Sequence, residues 1–458
     1  MSGWPGRGLA LLVAGTFFME NLDGTIIATA APRMAASFQV PAVDISAAMT
    51  AYLVTLAAGI PASGWLAGRF GTRAVFGSAI LIFTVASGLC AASATLPMLI
   101  GMRVLQGIGG AMMVPVGRLA VLRTTDKGDL IRAIAYLTWP GLIAPVLAPA
   151  VGGLFTQYTS WRWIFLVNLP LGAVAGLLAF RMVPSVRTER DAPLDWAGFL
   201  LTGVSLAALV IGMEQIGDGV GWAQVAVALT VGVVTGVLAV RHLWRAANPL
   251  MHLRTLRVHT YRVASASGTV YRAVITAVPF LLPLLFQDAF GWGPIRSGLV
   301  VIAVFAGNVG IKPFTTPIMH RFAFRQVLLV SLAGGVACLI ACGLLTASTP
   351  LWVTLALLFL SGVFRSVGFT AYNTVQFADV DKADLPGATT LAATTTQLAA
   401  GLGVAFGALA LRSGMLVAGT AGTGAYLVAF LLLAAVLLAC AVDVVGLPVD
   451  AGELVRRG

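Results

Sequence analysis

Long apolar stretches, separated by short segments rich in glycine, proline and charge, recur along the whole 458-residue chain. A helix that crosses the hydrocarbon core of a bilayer needs about 20 mostly apolar residues. The pattern therefore predicts fourteen membrane-spanning helices. They are expected at residues 8–30, 45–67, 73–93, 97–122, 132–157, 162–183, 195–217, 222–244, 262–286, 296–319, 325–346, 350–375, 386–411 and 424–446.

The composition agrees with this pattern and excludes a soluble protein. Hydrophobic residues make up 59% of the chain and charged residues 10%, against roughly 25% charged residues in a typical soluble domain. The net charge of +11 would fit a protein that binds nucleic acid. However, 20 Lys and Arg residues fall in the termini and loops on one side of the predicted membrane, and 4 fall in the loops on the other side. The positive-inside rule then predicts a multi-pass protein of the inner (plasma) membrane with both termini cytoplasmic and no nucleic-acid partner.

The sequence offers little for an enzyme or a metal site. All four cysteines lie in apolar stretches, and the four histidines have no ligand spacing. An embedded enzyme or sensor would need a catalytic cluster or an output domain, and the short loops leave no room for either. We therefore expect no enzyme activity, no metal and no other cofactor.

Three ionisable side chains lie deep within predicted spans, where a charge costs several kcal/mol. Glu20 and Asp23 are three residues apart and share one helical face. Asp23 is about 22 Å from the cytoplasmic start of span one, and Arg103 of span four is at about 21 Å. An acid and a guanidinium at one depth predict a carboxylate that gains and loses a proton. A static ion pair that fixes helix packing is the alternative.

Other polar side chains within the spans are candidates for the lining of a substrate cavity. Arg272 of span nine and Arg365 of span twelve have no acidic partner within a span of the second half. Arg118, near the cytoplasmic end of span four, is expected to snorkel instead. Span thirteen is rich in threonine, whose hydroxyl groups either line a cavity or bond to carbonyl groups of their own helix. The cavity candidates are Glu20, Gln106, Arg272, Gln287, Asn373 and Gln397.

Span five combines helix-breaking and small residues. Pro145 and Pro149 are four apart and free carbonyl groups on one face, while Gly152 and Gly153 allow a neighbouring helix to approach closely. This concentration predicts a bend or hinge.

Several segments together resemble the major facilitator superfamily, in particular its fourteen-span drug:proton antiporters of the QacA/EmrB type. Residues 64–73 (GWLAGRFGTR) are similar to the superfamily's loop signature, and residues 99–111 to its span-four motif. Residues 149–153 resemble the antiporter motif of span five. The resemblance extends to residues 22–26, 31–32, 161–172 and 194–198.

The resemblance implies an all-α integral membrane protein with the major facilitator fold, two six-helix bundles plus two extra helices. Residues 1–190 would form the N-terminal bundle, 191–245 the inserted pair, and 246–458 the basic loop and the C-terminal bundle. The substrate would cross at the interface of the bundles as access alternates between the two sides.

For function, the resemblance implies proton-coupled export of amphipathic drugs or other toxic small molecules, driven by the proton gradient without a cofactor. Asp23 would carry the proton, and Glu20 would contribute to substrate or proton binding. Arg103 would set the pKa of Asp23. Gly68 stands where the loop signature has an acidic residue, so the contact that this residue makes in the family would be weaker here, or Asp126, Asp129 or Asp379 could substitute for it. The residues expected to gate the cytoplasmic face are Gly64, Arg69, Gly71 and Arg73.

We expect a monomer, joined by a periplasmic adaptor if the cell is Gram-negative. The alternative on the same fold is a dedicated exporter of a metabolite, an amino-acid derivative or a siderophore. A preference for anionic substrates would favour it, with Arg272 or Arg365 as ligands.

Overall fold

Helices account for almost all of the secondary structure in the computed structural model of the chain. It describes residues 6–40, 42–187, 193–217, 221–419 and 422–456, and these ranges contain no β-strand. The helices coincide with the apolar stretches of the sequence, because lipid offers the backbone no hydrogen-bond partner outside the helix.

The first half of the chain contains the helices that match predicted spans one to eight. They are α1 (Arg7–Phe38), α2 (Ser46–Gly59), α3 (Ser63–Phe70), α4 (Thr72–Ala92), α5 (Leu96–Thr124), α6 (Leu130–Tyr158), α7 (Trp163–Leu166), α8 (Asn168–Met182), α9 (Trp196–Gly217) and α10 (Trp222–Arg245). A 3₁₀ turn at Ile60–Ala62 joins α2 to α3 within one span. Gly71 separates α3 from α4 with a φ of +91°, which a residue without a Cβ adopts readily.

The second half matches predicted spans nine to fourteen. Its helices are α11 (His259–Leu284), α12 (Pro294–Gly310), α13 (Lys312–Arg321), α14 (Phe324–Gly343), α15 (Leu351–Ala378), α16 (Leu385–Ala418), α17 (Thr423–Val445) and the short α18 (Glu453–Arg456). A π-helical turn at Leu285–Ala289 ends the span that begins with α11.

The number of spans that length and hydropathy establish is lower than the predicted fourteen. Within the described residues eleven helices are long and apolar enough to cross a membrane, or twelve if α12 and α13, bent by 46°, form one span. The other two predicted spans coincide with α6 and α16, of 29 and 34 residues. Both helices contain residues whose side chains are not described, and the count of eleven or twelve spans does not include them.

The two halves pack their helices in the same order. In the first half α1 packs against α6, α2 against α5, and α4 against both α5 and α8. In the second half α11 packs against α16, α12 against α15, and α14 against both α15 and α17. This correspondence is that of a repeated six-helix unit. The predicted boundary at 190/191 lies outside the described residues, and the one at 245/246 stays a prediction.

The halves meet near one side of the molecule, which carries Gly71 and the loops 125–129, 246–258 and 379–384, and which we call the basic face. There the Ser63 hydroxyl lies 3.3 Å from that of Thr390. A Cβ on Gly64 would lie 2.5 Å from the Thr390 hydroxyl. Glycine is therefore required where α3 crosses α16.

A half-buried cation, Lys312, bridges the halves at a second point on the side of the basic face. The Lys312 ammonium donates hydrogen bonds to the Thr370 hydroxyl at 2.8 Å and to the Thr138 hydroxyl of the first half at 3.4 Å. Together with the contact between α3 and α16, this bridge joins the two halves on the side of the basic face.

The pair α9–α10 stands outside the repeat. α9 packs against α10, and it also contacts α2 of the first half and α16 of the second. Asp195 caps α9 by accepting a hydrogen bond from the Gly198 backbone at 2.8 Å, and it joins α10 through His242 Nε2 at 2.8 Å. Burial alone would raise the pKa of Asp195, but the hydrogen bonds from Gly198, His242 and Leu250 outweigh it and hold the pKa below its ordinary value.

Candidate functional site

The two ionisable residues that the sequence places at one depth are in direct contact inside the first half. Arg103 Nη1 donates to Asp23 Oδ2 at 2.5 Å, and neither side chain is exposed to solvent. The pair joins α1 to α5. Charge-assisted hydrogen bonds of this kind are the strongest hydrogen bonds in proteins. Removal of either the carboxylate or the guanidinium would leave an uncompensated buried charge.

Neutral polar side chains complete the coordination of the Asp23 carboxylate. Its other oxygen, Oδ1, accepts hydrogen bonds from Gln106 Nε2 at 2.9 Å and from Asn168 Nδ2 at 2.8 Å. Ser87 of α4 lies behind them and accepts from Gln106 at 2.8 Å and from Asn168 at 3.3 Å. Four helices therefore converge on one carboxylate, and we call Asp23, Arg103, Gln106, Asn168 and Ser87 the Asp23 network.

An aromatic ring and a backbone carbonyl group hold the Arg103 guanidinium in place. Its Cζ lies 4.1 Å from the centre of the Tyr52 ring, a close cation–π contact. Arg103 Nε donates to the Ala48 carbonyl at 3.3 Å, and Nη1 also donates to Gln106 Oε1 at 2.6 Å. Arg103 Nη2 is buried without a partner among the described residues.

Glycines of the span-four motif allow this convergence. A Cβ on Gly107 would lie 2.9 Å from the Tyr52 carbonyl oxygen in α2, and one on Gly109 would lie 2.7 Å from the Phe83 nitrogen in α4. α5 therefore touches the backbones of two neighbours at once. This close approach places Arg103 and Gln106 within reach of Asp23.

Glu20 lies near the Asp23 network without joining it in the described structure. Its carboxyl carbon and the Tyr52 hydroxyl both face Gly110, at 3.8 and 3.3 Å from the point where a Cβ would lie. Glu20 Oε2 is buried and has no hydrogen-bond partner among the described residues. The three-residue spacing gives a shared face, yet Asp23 alone reaches Arg103.

The second half contains a different polar cluster around Arg272. Arg272 Nη2 donates to Gln376 Oε1 at 3.3 Å and to Asn373 Oδ1 at 3.5 Å, both on α15. Gln376 in turn donates to the Ser265 hydroxyl at 3.1 Å. Arg272 and Asn373 are thus brought together as cavity candidates, and Gln376 is an addition that sequence reasoning missed.

Two other cavity candidates lie apart from these clusters. Gln287 is half-buried in the π-helical turn at the far end of α11, fifteen positions or about 22 Å along the chain from Arg272. Gln397 is half-buried on α16. The neighbouring hydroxyl groups of Thr394 and Thr396 bond to carbonyl groups of their own helix, at 2.9 and 2.7 Å. This is one of the two alternatives that the threonine-rich sequence leaves open.

The gating loop is tied to the end of α8. Arg73 Nε donates to the Val183 carbonyl at 2.6 Å, and the Thr72 hydroxyl donates to the Pro184 carbonyl at 2.6 Å. Arg69 lies over the Trp65 ring, 5.6 Å from its centre. Of the acids expected to substitute at Gly68, Asp129 instead pairs with Arg132, at 3.3 Å.

The predicted hinge is helical throughout, since α6 runs from Leu130 to Tyr158. The side chains of Pro145 and Pro149 lie outside the described residues. Gly152 packs against α1 so closely that a Cβ would lie 2.1 Å from the Thr29 hydroxyl, whereas a Cβ on Gly153 would meet nothing within 4 Å. The close approach predicted for this segment is therefore made by Gly152.

Two like helical halves, a buried ion pair and contacts that join the halves on one side define a class of protein, a membrane transporter. The sequence profile of the Major Facilitator Superfamily matches residues 13–247 and 263–456. The chain belongs to this family, and it is a multi-pass membrane protein.

Relatives in enterobacteria are similar over most of their length. The chain is 36% identical over 406 residues to the multidrug resistance protein MdtD of Pectobacterium carotovorum, covering 87% of this chain and 86% of that protein. It is 35% identical over 412 residues to the protein of the same name from Escherichia coli O6:H1, with coverages of 87% and 85%. The family is thus that of drug efflux transporters.

Solved structures share the fold at low sequence identity. The human organic anion transporter MFSD10 superposes with a TM-score of 0.68 at 14% identity, covering 96% of this chain and all of that one. The proton:xylose symporter XylE superposes with a TM-score of 0.66 at 13% identity, with coverages of 97% and 96%.

Proposed function

We propose that this protein is a proton-coupled antiporter that exports amphipathic drugs or other toxic small molecules across the cytoplasmic membrane by alternating access. The observation that carries the proposal is the Asp23 network, in which a wholly buried carboxylate of α1 is paired with a guanidinium of α5 and bonded to an amide of α8. The similarity to proteins named for multidrug resistance supports efflux as the direction of transport.

The geometry suggests how a proton on Asp23 would act on the helices. Protonation removes the negative charge that faces Arg103 and turns one acceptor oxygen into a hydroxyl group. The ion pair between α1 and α5 is then lost, and the hydrogen bonds from Gln106 and Asn168 weaken. A proton that crosses 100 mV supplies about 2.3 kcal/mol before any pH gradient is added, enough to shift a balanced equilibrium between two states.

The closed basic face corresponds to the outward-facing state in this mechanism. The basic face is taken as cytoplasmic on the strength of the positive-inside rule, which puts both termini in the cytoplasm and the protein in the inner membrane. Lys312 and the α3–α16 crossing then form the cytoplasmic gate, and the loop of Arg69, Gly71 and Arg73 lies beside it. The protein works as a monomer, with a periplasmic adaptor in a Gram-negative cell.

The test uses Asp23→Asn, which keeps the shape of the side chain and removes its proton site. Purified wild type and variant are reconstituted in proteoliposomes, and uptake of ethidium is measured under an imposed pH gradient. The wild type accumulates ethidium and the variant loses gradient-driven uptake. Asp44→Asn, at an exposed acid in a loop turn, is the matched control and keeps it. Full gradient-driven uptake by Asp23→Asn would falsify the proton role.

A dedicated exporter of a metabolite, amino-acid derivative or siderophore is the second candidate. The observation in its favour is Arg272, a buried cation without an acidic partner among the described residues. A growth screen against many compounds, with overexpressing and deleted cells, separates the two. Protection against several unrelated toxic compounds supports drug efflux, and protection against one chemical group supports the dedicated exporter.

A further inference from the structure

Arg272 is as deeply buried as a charged residue in a structural ion pair. It has no acidic partner among the described residues. Its side chain is 3% exposed, thirteen positions or about 20 Å along α11 from the start of the helix. Only Nη2 has hydrogen-bond partners, and both are neutral amide oxygens at 3.3 and 3.5 Å. Nε and Nη1 are buried with no partner in the described part of the chain.

A second cation of the first half lies close by. The guanidinium of Arg118 on α5 lies over the ring of Phe377, 6.0 Å from its centre. Phe377 is the next residue along α15 after Gln376, which accepts from Arg272. Arg118, expected from the sequence to snorkel, therefore lies against the second half, on the same stretch of α15 as Arg272.

The contrast with the first half indicates what is missing. Arg103 on α5 is buried opposite a carboxylate on α1. In the second half the corresponding helices α11 and α15 supply a cation and two amides, and none of the three ion pairs found among the described residues includes Arg272. A buried guanidinium without a counter-charge destabilises the protein, because its lost hydration is not replaced. An anion that binds there would recover much of this cost.

The surroundings fit one chemical class of ligand. A guanidinium presents its N–H groups as a planar fork, which matches the two oxygens of a carboxylate. The Phe369 ring centre lies 5.9 Å from the Arg272 guanidinium, and Tyr372 and Phe377 follow on α15. An aromatic ring that carries a carboxylate would find both a charge partner and apolar contacts at this position.

We propose that Arg272, assisted by Arg118, Asn373 and Gln376, forms a subsite for the carboxylate group of an amphipathic substrate. The inference rests on the proposed function, because it takes the interface of the halves as the transport path. It assigns to this transporter acidic and zwitterionic aromatic compounds as substrates.

The experiment measures binding to the full-length protein, purified in a nonionic detergent, by isothermal titration calorimetry. The probe is naphthalene-2-carboxylate, and naphthalene-2-carboxamide is its neutral isostere. The wild type binds the carboxylate at least about tenfold more tightly than the carboxamide. Arg272→Gln loses this preference, and Arg272→Lys keeps part of it because charge remains without the planar fork. Arg296→Gln removes an exposed charge stacked on Trp292 and leaves binding unchanged.

Two outcomes overturn the subsite: equal affinity of the wild type for both probes, or a carboxylate affinity in Arg272→Gln that equals the wild-type value. If Arg272→Gln is unstable, Arg118→Gln carries the same test, and a reduced preference for the carboxylate is expected. Binding is measured without a proton gradient, so its result is independent of coupling. If the wild type shows no gradient-driven ethidium uptake, the proposed function fails while the binding result stands.

Discussion

At the scale of single residues, two neutral amides bond to the Asp23 carboxylate beside its ion pair. Arg103 supplies the charge, whereas Gln106 and Asn168 supply two of the three hydrogen bonds. A hydrogen bond to a charged group contributes about 1.5–3 kcal/mol. The amides therefore help to decide whether Asp23 is held as a carboxylate at this depth.

Asn168 offers a direct test of this contribution. Asn168→Ala removes one donor from Asp23, and we expect roughly tenfold slower gradient-driven transport, since about 1.4 kcal/mol corresponds to a factor of ten. Asn168→Asp places a second buried carboxylate beside Asp23 and should lower both the transport rate and the melting temperature further. Proteoliposome uptake and thermal melts in detergent measure the two effects. Equal behaviour of both variants would show that charge at position 168 does not matter.

Tyr52 separates ring stacking from hydrogen bonding. Its hydroxyl is buried with no partner among the described residues, while its ring lies 4.1 Å from the Arg103 guanidinium. Tyr52→Phe keeps the ring and should transport within about twofold of the wild type. Tyr52→Leu loses a cation–π contact worth about 1–2 kcal/mol and should be slower by about fivefold or more. A slow Tyr52→Phe variant would instead point to a role for the hydroxyl, for example toward Glu20.

Among single residues, the sequence singles out only those that carry a charge within a predicted span. Asp23 and Arg103 are conspicuous because ionisable groups are rare within spans, and their depths predict that they meet. Asn168, Ser87 and Tyr52 are neutral, so a search for charged residues within the spans does not single them out, although Asn168 lies within the segment 161–172 that resembles the family. Glu20 is one turn from Asp23, but the rotation of α1 about its axis is set by packing and leaves it outside the Asp23 network.

At the scale of helices, the position of the site depends on how closely α5 approaches its neighbours. A Cβ on Gly109 would lie 2.7 Å from a backbone nitrogen of α4 and 2.9 Å from a carbonyl oxygen, atoms that move only with the helix. Gly101 lies on the same helix with open space around it, since a Cβ there would meet nothing within 4 Å.

These two glycines form a matched pair of variants. Gly109→Ala should push α4 and α5 apart and cost about 1–3 kcal/mol of stability, as overpacked cores do. Gly101→Ala should be neutral or slightly stabilising, because alanine is the better helix former. Melting temperatures in detergent test the difference, together with transport by the surviving protein. If both variants melt at the wild-type temperature, α5 is packed less closely against α4 than the structure indicates.

Helix existence was predictable from hydropathy, but helix detail was not. The break at Ile60–Ala62, the 46° bend between α12 and α13, and the π-helical turn after α11 fall inside or at the end of a predicted span, and mean hydropathy does not show where a helix breaks or bends. Gln287 is a cavity candidate that lies one residue beyond the predicted end of span nine, residues 262–286. The structure places it at the end of that span, beside Asp288, which accepts a hydrogen bond from Tyr426 at 3.1 Å.

At the scale of the whole molecule, the equivalent packing of the two halves and their contact near the basic face describe one state of a transporter. The Ser63 and Thr390 hydroxyl groups are 3.3 Å apart across the closure. In an alternating-access cycle these residues must separate each time the basic face opens.

A reversible cross-link tests this requirement. Ser63→Cys combined with Thr390→Cys, in a background where the four buried native cysteines are replaced by alanine, should form a disulfide on mild oxidation. Transport should then stop, because the gate cannot open, and a reducing agent should restore it. Each single cysteine variant serves as a control and should be insensitive to oxidation. A cross-linked protein that still transports would mean that this contact does not separate during the cycle.

The position of α9 has a mechanical consequence. α9 lies against α2 of one half and α16 of the other, and the Ala58 carbonyl oxygen is 3.5 Å from where a Cβ on Gly203 would be. If the halves rock, at least one of these two contacts must slide. The energy barrier to this sliding would then depend on the side chains at the contact, and small residues would keep it low. Bulky side chains on α9 would slow the turnover of every substrate alike, without changing which substrates bind.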